Sequence, residues 1–446
     1  MKQIWVSDYW VVLPLFMMVS VNTWADDLMS TYQLASEQDQ QYQAAKSVFE
    51  AENAKLGKAR AGLLPFLGAN AGTVRRNQEV SSADNIPGFD GEADYNVDSW
   101  SVNFNQALFD MPTWHGYKQA KVNVEKATLD LRSAKQELIF RVASVYGQAL
   151  VSQENLRVSE AEKEALAEQL VLDKERLNVG LGTVTNLYAT ESRYSLAETN
   201  VIEADFSLRD ALVALKELTG QEPGGLLVIA EDKPPLDPPS PDNLGYWVEA
   251  ALKNNLDFLA VQRAVEITER EVSRIKAGHL PTLDLVAAHS NSDADGSLTG
   301  SGRTFENTDI GLQLEIPLIQ GWGVMAGTKE ARALYQTALH KQEGVRRNVD
   351  RTSRSAYQAL KSGISRLHAL KSAVRAGNST VEAKREGFKA GVNTNVEVLD
   401  AVRDLYGSER DYINAKYQFI LSTLQLKRVS GSLEVSDLEN VNSWLK

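Results

Sequence analysis

The 446-residue sequence contains no cysteine. Disulfide bonds, thiolate metal sites, a cysteine nucleophile and an acylated N-terminal cysteine are therefore all excluded. Basic residues are also in deficit, with 47 Lys and Arg against 59 Asp and Glu and a net charge of −12. Because nucleic acid binds to basic surfaces, we expect no nucleic-acid partner.

Long apolar runs are missing from most of the chain. At the N-terminus, Lys2 precedes an apolar run at residues 11–21, and Ala25 lies where a signal peptidase cleaves after small residues. This pattern predicts a signal peptide at residues 1–25. The alternative, a transmembrane anchor, is disfavoured because a helix needs about 20 apolar residues to cross a bilayer. An exported protein without such helices can span a membrane only with β-strands.

Proline is absent between Pro112 and Pro223 and after Pro317. Because a proline inside a helix costs about 3 kcal/mol, these stretches can form very long helices. Apolar residues at three- and four-residue spacing predict such helices over 113–178 and 323–390, each about 100 Å long at 1.5 Å per residue. Shorter helices, each about half as long, are predicted at residues 27–62, 186–220, 244–278 and 396–430. Two of them stacked end to end match one long helix.

Alternating apolar and polar residues predict four strands. The alternation is clear at 310–318 and 101–105 and weaker at 66–75 and 282–288. It puts Leu312, Leu314 and Ile316 on one face, which indicates contact with lipid or with the core of a soluble sheet. Polar loops are expected at 78–98 and 289–308. Flanking aromatic residues favour the membrane, where they form interfacial girdles: Tyr95, Trp100, Phe109, Trp114, Phe305 and Trp322.

Four strands are too few to close a barrel, since even small barrels need about eight. A chain with four lipid-facing strands must therefore assemble with other copies, which covers the edges of its sheet. We expect oligomers.

The chain also repeats itself. Residues 61–65 return at 277–281, and Tyr146 and Gly180 have counterparts 211 positions later. The near-constant offset predicts a duplicated unit. The predicted segments are repeats at 26–220 and 244–431, hairpins at about 64–110 and 280–319, a connector with six prolines at 221–243, and a tail at 432–446.

The order of signal, helix, hairpin, long helix, turn and helix, given twice, resembles the TolC family of outer-membrane efflux proteins. The residues that carry the resemblance are Leu64-Pro65, Leu280-Pro281, Arg176 to Leu181, Gly387 to Val392 and Val396 to Ala401. The resemblance covers nearly all of the mature chain. It implies an α+β membrane protein, a trimer with a shared 12-stranded outer-membrane β-barrel and a long periplasmic α-helical barrel.

The implied function is an exit duct for drug efflux or type I protein secretion, not an enzyme. The implied partners are two further copies of the chain, a periplasmic adaptor, an inner-membrane transporter and outer-membrane lipid, with no cofactor. The alternative from another class is a soluble periplasmic coiled-coil scaffold.

Two helix-to-helix turns form the predicted periplasmic tip. Glycines that follow long helices commonly end them with a positive φ, and Gly180 and Gly391 fit that role. By resemblance, the exposed turns also dock the adaptor. The predicted docking residues are Val179, Gly180, Leu181, Ala390, Gly391 and Val392.

Glu397 and Asp400 lie three residues apart on a predicted helix, hence on one side of it. By resemblance, three chains place six such carboxylates around a pore, which favours cations and raises pKa values by mutual repulsion. Glu397 also completes a capping box with Thr394, and the two roles are compatible. The family often has an acidic residue at Asn186, a basic one at Asn393 and a tyrosine at Phe388, so we expect a gate held differently here. Thr185 completes the predicted constriction.

No motif supports catalysis or a metal. Gly321, Gly323 and Gly327 resemble a dinucleotide fingerprint, but the third glycine is one position late and no βαβ unit follows. The run from Asn291 to Gly296 resembles the start of a calcium loop, but position twelve is Gly302 rather than glutamate.

Overall fold

The computed structural model describes residues 27–80, 91–230, 233–234 and 236–445. The predicted signal peptide lies outside them. The first half of the chain forms α1 (Leu28–Gln38), α2 (Gln40–Ala61), β1 (Phe66–Val80), β2 (Gly91–Phe109), α3 (Met111–Asn178) and α4 (Val184–Thr219). The second half forms α5 (Leu244–Asn254), α6 (Leu256–Lys276), β3 (Thr282–Ala294), β4 (Arg303–Glu315), α7 (Gly323–Lys389), α8 (Asn395–Val429) and α9 (Val435–Asn442). Apart from α9, the two halves have the same element order.

Both predicted long helices are present. α3 has 68 residues and α7 has 67, so each is about 100 Å long. α3 begins where the side chain of Asp110 accepts a hydrogen bond from the Thr113 N–H, and Pro112 lies in its first turn, where proline is tolerated. Along the described chain, no helix combines the length and the apolar character of a membrane span.

The predicted helices at 27–62 and 244–278 are each two helices rather than one. The breaks lie at Asp39 and Asn255, where ψ is 116° and 121°. Each side chain accepts a hydrogen bond from the N–H three residues later and so caps the following helix. No proline or glycine marks either break, which is why the sequence pattern did not reveal them.

The long helices stand beside stacked short ones. α3 packs against α2 and α6 in the half nearer the sheet and against α4 and α8 in the other half. α7 packs against α6 and then α8. The predicted arrangement is thus confirmed. It leaves α2 and α4 at one open edge of the chain and α7 at the other.

The largest apolar core lies at mid-height, where the stacked helices meet. α3 contributes Leu138, Ile139 and Tyr146, and α8 and α9 contribute Leu424 and Leu438. All five side chains are almost completely buried. Burial of this size stabilises the protein at the one level where the short helices are interrupted.

At this level a glycine follows the short helix that lies farther from the sheet, α4 in the first half of the chain and α8 in the second. Gly220 follows α4 with φ +73° and packs beside Gln38, and Gly431 follows α8 with φ +71° and packs against Asn254. A Cβ on Gly431 would lie 2.1 Å from the Asn254 carbonyl oxygen. Only glycine satisfies both the left-handed backbone and this close approach.

The described part of the 221–243 connector contains no helix, as its prolines predict. It packs onto the core through the buried Ile229, which forms a bridge with Leu445, and the Ala230 N–H donates to the Trp444 carbonyl at 2.9 Å. The connector thereby ties the C-terminal tail to the middle of the helices.

The strands form one antiparallel sheet in the order β1-β2-β3-β4. Side chains alternate between its two faces. One face is apolar, as in the row across all four strands formed by Leu67, Phe104, Ala287 and Ile310. The other is polar, as in the row Asn70, Ser101, Ser290 and Asn307. A sheet with these two faces can separate lipid from a water-filled lumen.

The strands are longer and the loops shorter than predicted. Much of the predicted loop at 78–98 belongs to β1 and β2, and residues 81–90 lie outside the described chain. The loop predicted at 289–308 shrinks to residues 295–302, so the calcium-like run from Asn291 is largely strand. Polar residues in these segments led to the prediction of loops. A strand that extends beyond the lipid into water needs no apolar face, so both of its faces can be polar.

Two members of the predicted aromatic girdles are wrongly assigned. By strand alternation, Tyr95 and Phe305 lie on the polar face, and Tyr95 is buried with its hydroxyl donating to Gln78 at 2.7 Å. Trp100 shares the apolar face, and Trp322 lies exposed beside the sheet.

We predict that Asn255→Ala destabilises the protein by about 2 kcal/mol, because the helix cap is lost and the buried Val429 carbonyl loses the Asn255 amide that donates to it at 3.0 Å. The control is Asn243→Ala, which removes an exposed cap of α5 and should cost about 1 kcal/mol or less. Guanidinium unfolding in detergent, followed by circular dichroism, measures both. Equal effects would contradict a special role for the buried break.

Candidate functional site

The first tip turn joins α3 to α4. Gly180 has φ +75°, and the Leu181 N–H donates to the Arg176 carbonyl at 2.8 Å. Thr183 then caps α4 through a hydrogen bond from the Asn186 N–H. Val179 and Leu181 are exposed apolar residues beside the glycine. The turn thus ends α3 in the predicted way, with a glycine of positive φ, and it exposes apolar side chains to solvent.

The second tip turn joins α7 to α8 with the same geometry. Gly391 has φ +79°, and the Val392 N–H donates to the Gly387 carbonyl at 2.8 Å. Ala390 is exposed, and so is Val392. The six predicted docking residues therefore lie on two similar exposed turns.

Two further glycines shape these turns and were not predicted. A Cβ on Gly182 would lie 2.8 Å from the Leu177 backbone nitrogen, and one on Gly387 would lie 2.0 Å from the Asn393 side-chain oxygen. Gly182 thus requires the absence of a side chain, because its neighbours are backbone atoms, whereas a side chain at position 387 would displace that of Asn393. The repeated glycines around each turn were the signal that could have identified them.

Glu397 is held by several donors. Its carboxylate accepts hydrogen bonds from the Thr394 N–H at 2.8 Å, from Lys384 of α7 at 3.0 Å and from the Asn393 amide at 3.1 Å. The backbone bond from Thr394, followed by Lys384 and Asn393, lowers the pKa of Glu397 from 4.5 to about 2. Within one chain this carboxyl is therefore ionised at neutral pH, and the predicted capping box is present.

Asp400 lies between two guanidinium groups. Arg193 of α4 donates to its Oδ1 at 3.1 Å, and Arg403 approaches the same oxygen at 3.2 Å. The side chain of Asp400 remains partly exposed. It thus connects α8 to the first half of the chain while keeping access to solvent.

The other predicted constriction residues are spread over the tip. Asn393 contacts Glu397, whereas Thr185 is exposed in the first turn of α4. Asn186 takes part through its backbone carbonyl, which accepts from Asn395 at 3.3 Å. Phe388 is buried, and the Arg176 guanidinium lies 4.7 Å from the centre of its ring. The structure therefore brings together only part of the predicted set within one chain.

A buried polar network lies directly behind these residues and was not predicted. Its members come from three helices: Gln169 and Asp173 of α3, Thr190 of α4 and Asn395 of α8. Asp173 accepts from the Thr190 hydroxyl at 2.6 Å and from the Asn395 amide at 2.9 Å. Gln169 donates to Asn395 at 2.9 Å. No spacing pattern in the sequence connects residues so far apart.

Metal binding finds no support in the described part of the chain. Across the described ranges, no group of three or more His, Asp and Glu side chains could hold a metal ion. The carboxylates at the tip are instead paired with basic and amide groups, as Glu397 and Asp400 illustrate.

The comparison with known families identifies the arrangement. The sequence profile of the family described as Outer membrane efflux protein matches residues 31–221 and 247–432. The chain belongs to this family. The two matched segments correspond to the two halves of the structure, so the family assignment covers the sheet, the long helices and both tip turns.

Individual outer membrane efflux proteins show the same relationship. The chain is 31% identical over 442 residues to the outer membrane protein TolC of Vibrio cholerae, with 98% of each chain covered. It is 28% identical over 437 residues to the alkaline protease secretion protein AprF of Pseudomonas aeruginosa, covering 97% of this chain and 90% of AprF. The structure of the CmeC outer membrane channel of Campylobacter jejuni matches its fold with a TM-score of 0.78 at 17% identity, covering 94% of this chain and 89% of CmeC.

Membership of the outer membrane efflux protein family confirms the expected function at this level. The protein is an exit duct in the outer membrane of a Gram-negative bacterium and extends into the periplasm. The family consists of channels rather than enzymes, and the alternative of a soluble scaffold is set aside.

Glu397→Ala should loosen the start of α8, because the capping box and the bond to Lys384 are both lost. Glu397→Gln should have a smaller effect, since glutamine can still accept from the Thr394 N–H. Hydrogen–deuterium exchange of the peptide spanning residues 393–400 should rank uptake as alanine variant, glutamine variant, then wild type. Identical uptake in all three would show that Glu397 does not stabilise the turn.

Proposed function

We propose that three copies of the chain assemble head to tail into one conducting pipe, which docks on a periplasmic adaptor and receives cargo from an inner-membrane transporter. The observation that carries the proposal is the open four-stranded sheet. β1 and β4 are its two edge strands. Their outward N–H and C=O groups need partners, because each unsatisfied group in a membrane costs several kcal/mol.

Head-to-tail pairing satisfies both edges. Since the four strands alternate in direction, β4 of one copy runs antiparallel to β1 of the next. The helices would pair in the same way. Because α2 and α4 lie below β1 at one edge of the chain and α7 lies below β4 at the other, α7 of one copy would contact α2 and α4 of the next. A heterologous contact of this kind closes into a ring if its rotation allows.

The number of copies follows from the lumen. Two copies would give eight strands, and side chains fill the interior of an eight-stranded barrel. Three copies give 12 strands, the smallest multiple of four that leaves an open passage in this series. The polar face of the sheet, with Asn103, Ser101 and Ser99 along β2, suits a water-filled interior.

Apolar residues at the base of the sheet support the same contact. Leu318, Ile319 and Trp322 follow β4 and are 88%, 93% and 77% exposed. Leu64 and Phe66 lie at the start of β1 and are 51% and 68% exposed. In a head-to-tail ring these two groups meet at one height, so the contact covers apolar area that one chain leaves in water.

Cysteine substitution tests the ring, because the natural chain has no cysteine. We expect the double variant Leu64→Cys with Ile319→Cys, treated with a flexible bismaleimide, to give covalent dimers and trimers on a denaturing gel. The two single variants are matched controls and should stay monomeric, because a head-to-tail contact never brings identical positions together. Crosslinking of a single variant would indicate a twofold contact instead.

The tip turns are the proposed docking surface for the adaptor. Val179, Leu181 and Val392 are 69%, 72% and 80% exposed, which is unusual for apolar side chains at the end of a helix pair. Gly180 and Gly391 hold them outward, and Ala390 keeps the approach open. The trimer would offer two sets of three equivalent turns, hence six similar apolar contacts, to a hydrophobic partner surface.

Glu397 and Asp400 are the proposed charged ring of the pore mouth, with Thr185, Asn186, Phe388 and Asn393 around them. One chain pairs both carboxylates with basic groups but leaves each partly exposed. Three copies would bring six carboxylates to one axis, where a ring of acidic groups favours cations. The proposed gate differs from that of relatives with charged groups at positions 186 and 393. Here the basic partners of Glu397 and Asp400 are Lys384 of α7 and Arg193 of α4.

Changing Glu397 and Asp400 together to alanine should weaken cation selectivity and cation block in planar bilayers. The control is Glu382→Ala with Glu386→Ala, which removes the same charge from exposed positions of α7. Undiminished selectivity in the first variant would exclude the ring.

The lowered pKa of Glu397 predicts how selectivity depends on pH. Because the pKa is about 2, the carboxyl stays ionised and its contribution to tip stability remains until the pH falls below about 4.5. In an Asp400→Ala variant, where Glu397 alone would supply the ring charge, selectivity should therefore be constant between pH 7 and about 4.5. A loss of selectivity near pH 6 would show that mutual repulsion in the trimer raises the pKa instead.

The remaining parts of the proposal concern origin and cargo. We propose that the halves at 26–220 and 244–431 are copies of one duplicated unit, supported by the matching breaks at Asp39 and Asn255. The cargo class stays open between small molecules and proteins, since the chain belongs to a family described by efflux and is also 28% identical to AprF, which is named for protease secretion.

A further inference from the structure

The sheet has an outer end, away from the helices, at which its two faces carry opposite charges. We define the outer end as the strand residues beyond the row Asn70, Ser101, Ser290 and Asn307, which are 71–80, 91–100, 291–294 and 303–306. Because the helices lie in the periplasm, this end points to the cell exterior. The pairings of β1 with β2 and of β3 with β4 have no register break, so alternation along each strand fixes the face of every residue.

Carboxylates occupy one side of the outer end. All acidic residues of its described strands lie on the side that continues the apolar face, namely Glu79, Glu92, Asp94, Asp98, Asp293 and Glu306. Contacts between side chains agree with this placement. Arg75 donates to Asp94 at 2.8 Å, and Thr304 donates to Asp293 at 2.7 Å. In a closed barrel these groups face away from the lumen.

The polar face of the outer end has the opposite charge. Its charged residues in the described strands are Arg76 of β1 and Arg303 of β4. Arg303 shares a row with Val74, so the two arginines lie within two residues of the same row. Both are exposed, and neither forms an ion pair with a described residue. Their charges therefore face the lumen without being neutralised there.

Arg75 and Arg76 are consecutive but have different partners. The carboxylate of Asp94 offsets the charge of Arg75. The Arg76 guanidinium instead lies 5.9 Å from the centre of the Tyr95 ring, and the Tyr95 hydroxyl donates to Gln78 at 2.7 Å. An aromatic ring attracts a guanidinium group but leaves it positively charged. Arg76 is thus held over the polar face as a cation.

Carboxylates appear on the polar face only nearer the helices, among the described strand residues. Asp309 follows Arg303 by six residues of β4, which is about 20 Å at 3.3 Å per residue. Asp284 and Glu315 lie on the same face and farther from the outer end. An anion that enters from outside therefore meets arginines first and is repelled if it moves deeper.

In the proposed trimer, the two arginines of each chain give six guanidinium groups around the external exit. At physiological ionic strength the Debye length is about 8 Å, so carboxylates about 20 Å away on the same face are largely screened. Glu397 and Asp400 are much more distant, because α7 alone is about 100 Å long. The charge at the exit is thus independent of the charge at the tip.

We propose that Arg76 and Arg303 form an anion-binding collar inside the external end of the barrel. Its ligand is a soluble polyanion with several phosphate or carboxylate groups, because the guanidinium group binds both through paired N–H donors. The inference rests on the proposed trimer, which brings the six groups together. The exit then favours anions, whereas the proposed pore mouth at the other end favours cations.

Calorimetric titration of the purified trimer in detergent with inositol hexakisphosphate tests the collar. At about 0.15 M NaCl, where surface charges are well screened, the wild type should bind this polyanion. Arg76→Ala with Arg303→Ala should weaken binding at least about tenfold, since that is the effect of losing one hydrogen bond between charged groups. The matched controls are the single variants Arg76→Ala and Arg75→Ala, which remove the same charge from opposite faces. Only Arg76→Ala should lower the affinity.

Arg76→Lys with Arg303→Lys separates recognition from a structural role of the arginine side chains. Lysine keeps the positive charge but loses the paired donors. Its affinity for inositol hexakisphosphate should therefore lie between those of the wild type and the double alanine variant. Binding as weak as that of the alanine variant would contradict the collar, because charge at these positions would then not attract the ligand.

Two further results would overturn the inference. Equal loss of affinity in Arg75→Ala and Arg76→Ala would mean that binding follows total charge rather than the lumen face. Absence of binding to the wild-type trimer would mean that the six guanidinium groups do not act together. Light scattering on the same samples gives the mass of the particle. If a trimer forms but does not bind, the duct stands and only the collar fails, whereas a monomer would contradict the proposed function itself.

Discussion

The unpaired backbone groups at the two edges of the sheet are the constraint on which the rest of the molecule depends. Inside lipid they cannot bond to water, so the sheet is stable there only if β1 and β4 find strands of other copies. The long helices extend the same two edges into the periplasm. The membrane end and the periplasmic end therefore share one mode of assembly.

A second constraint is that helices of about 100 Å must stay aligned with helices about half as long, and the contacts in the middle of the molecule meet it. Each break between short helices is capped by a polar side chain, Asp39 or Asn255, and covered by a glycine, Gly220 or Gly431. The apolar core lies at the same level. The short helices are thus interrupted where the largest apolar core packs. This core keeps the helices near the sheet aligned with those near the tip turns.

At the tip, hydrogen bonds hold two carboxylates in fixed positions. Glu397, which we propose lines the pore mouth, also caps α8, and the donors that hold its carboxylate lower its pKa. Asp400 is shared between Arg193 and Arg403. Both carboxylates are therefore positioned by bonds within one chain, and the buried bonds of Asn395 tie the start of the same helix to α3 and α4.

The sequence by itself determined the long helices, the tip turns, the capping box of Glu397 and the alternating strands, because each is encoded by neighbouring residues. It misjudged the helix breaks, which no proline or glycine marks, and the length of the strands, whose outer ends are rich in polar residues. Only the tertiary structure decided that Lys384 bonds to Glu397 and Arg193 to Asp400, and only it formed the network around Asp173. Gln169 and Asn395 bond across 226 positions of sequence, and only the packing of α3 against α8 brings them together.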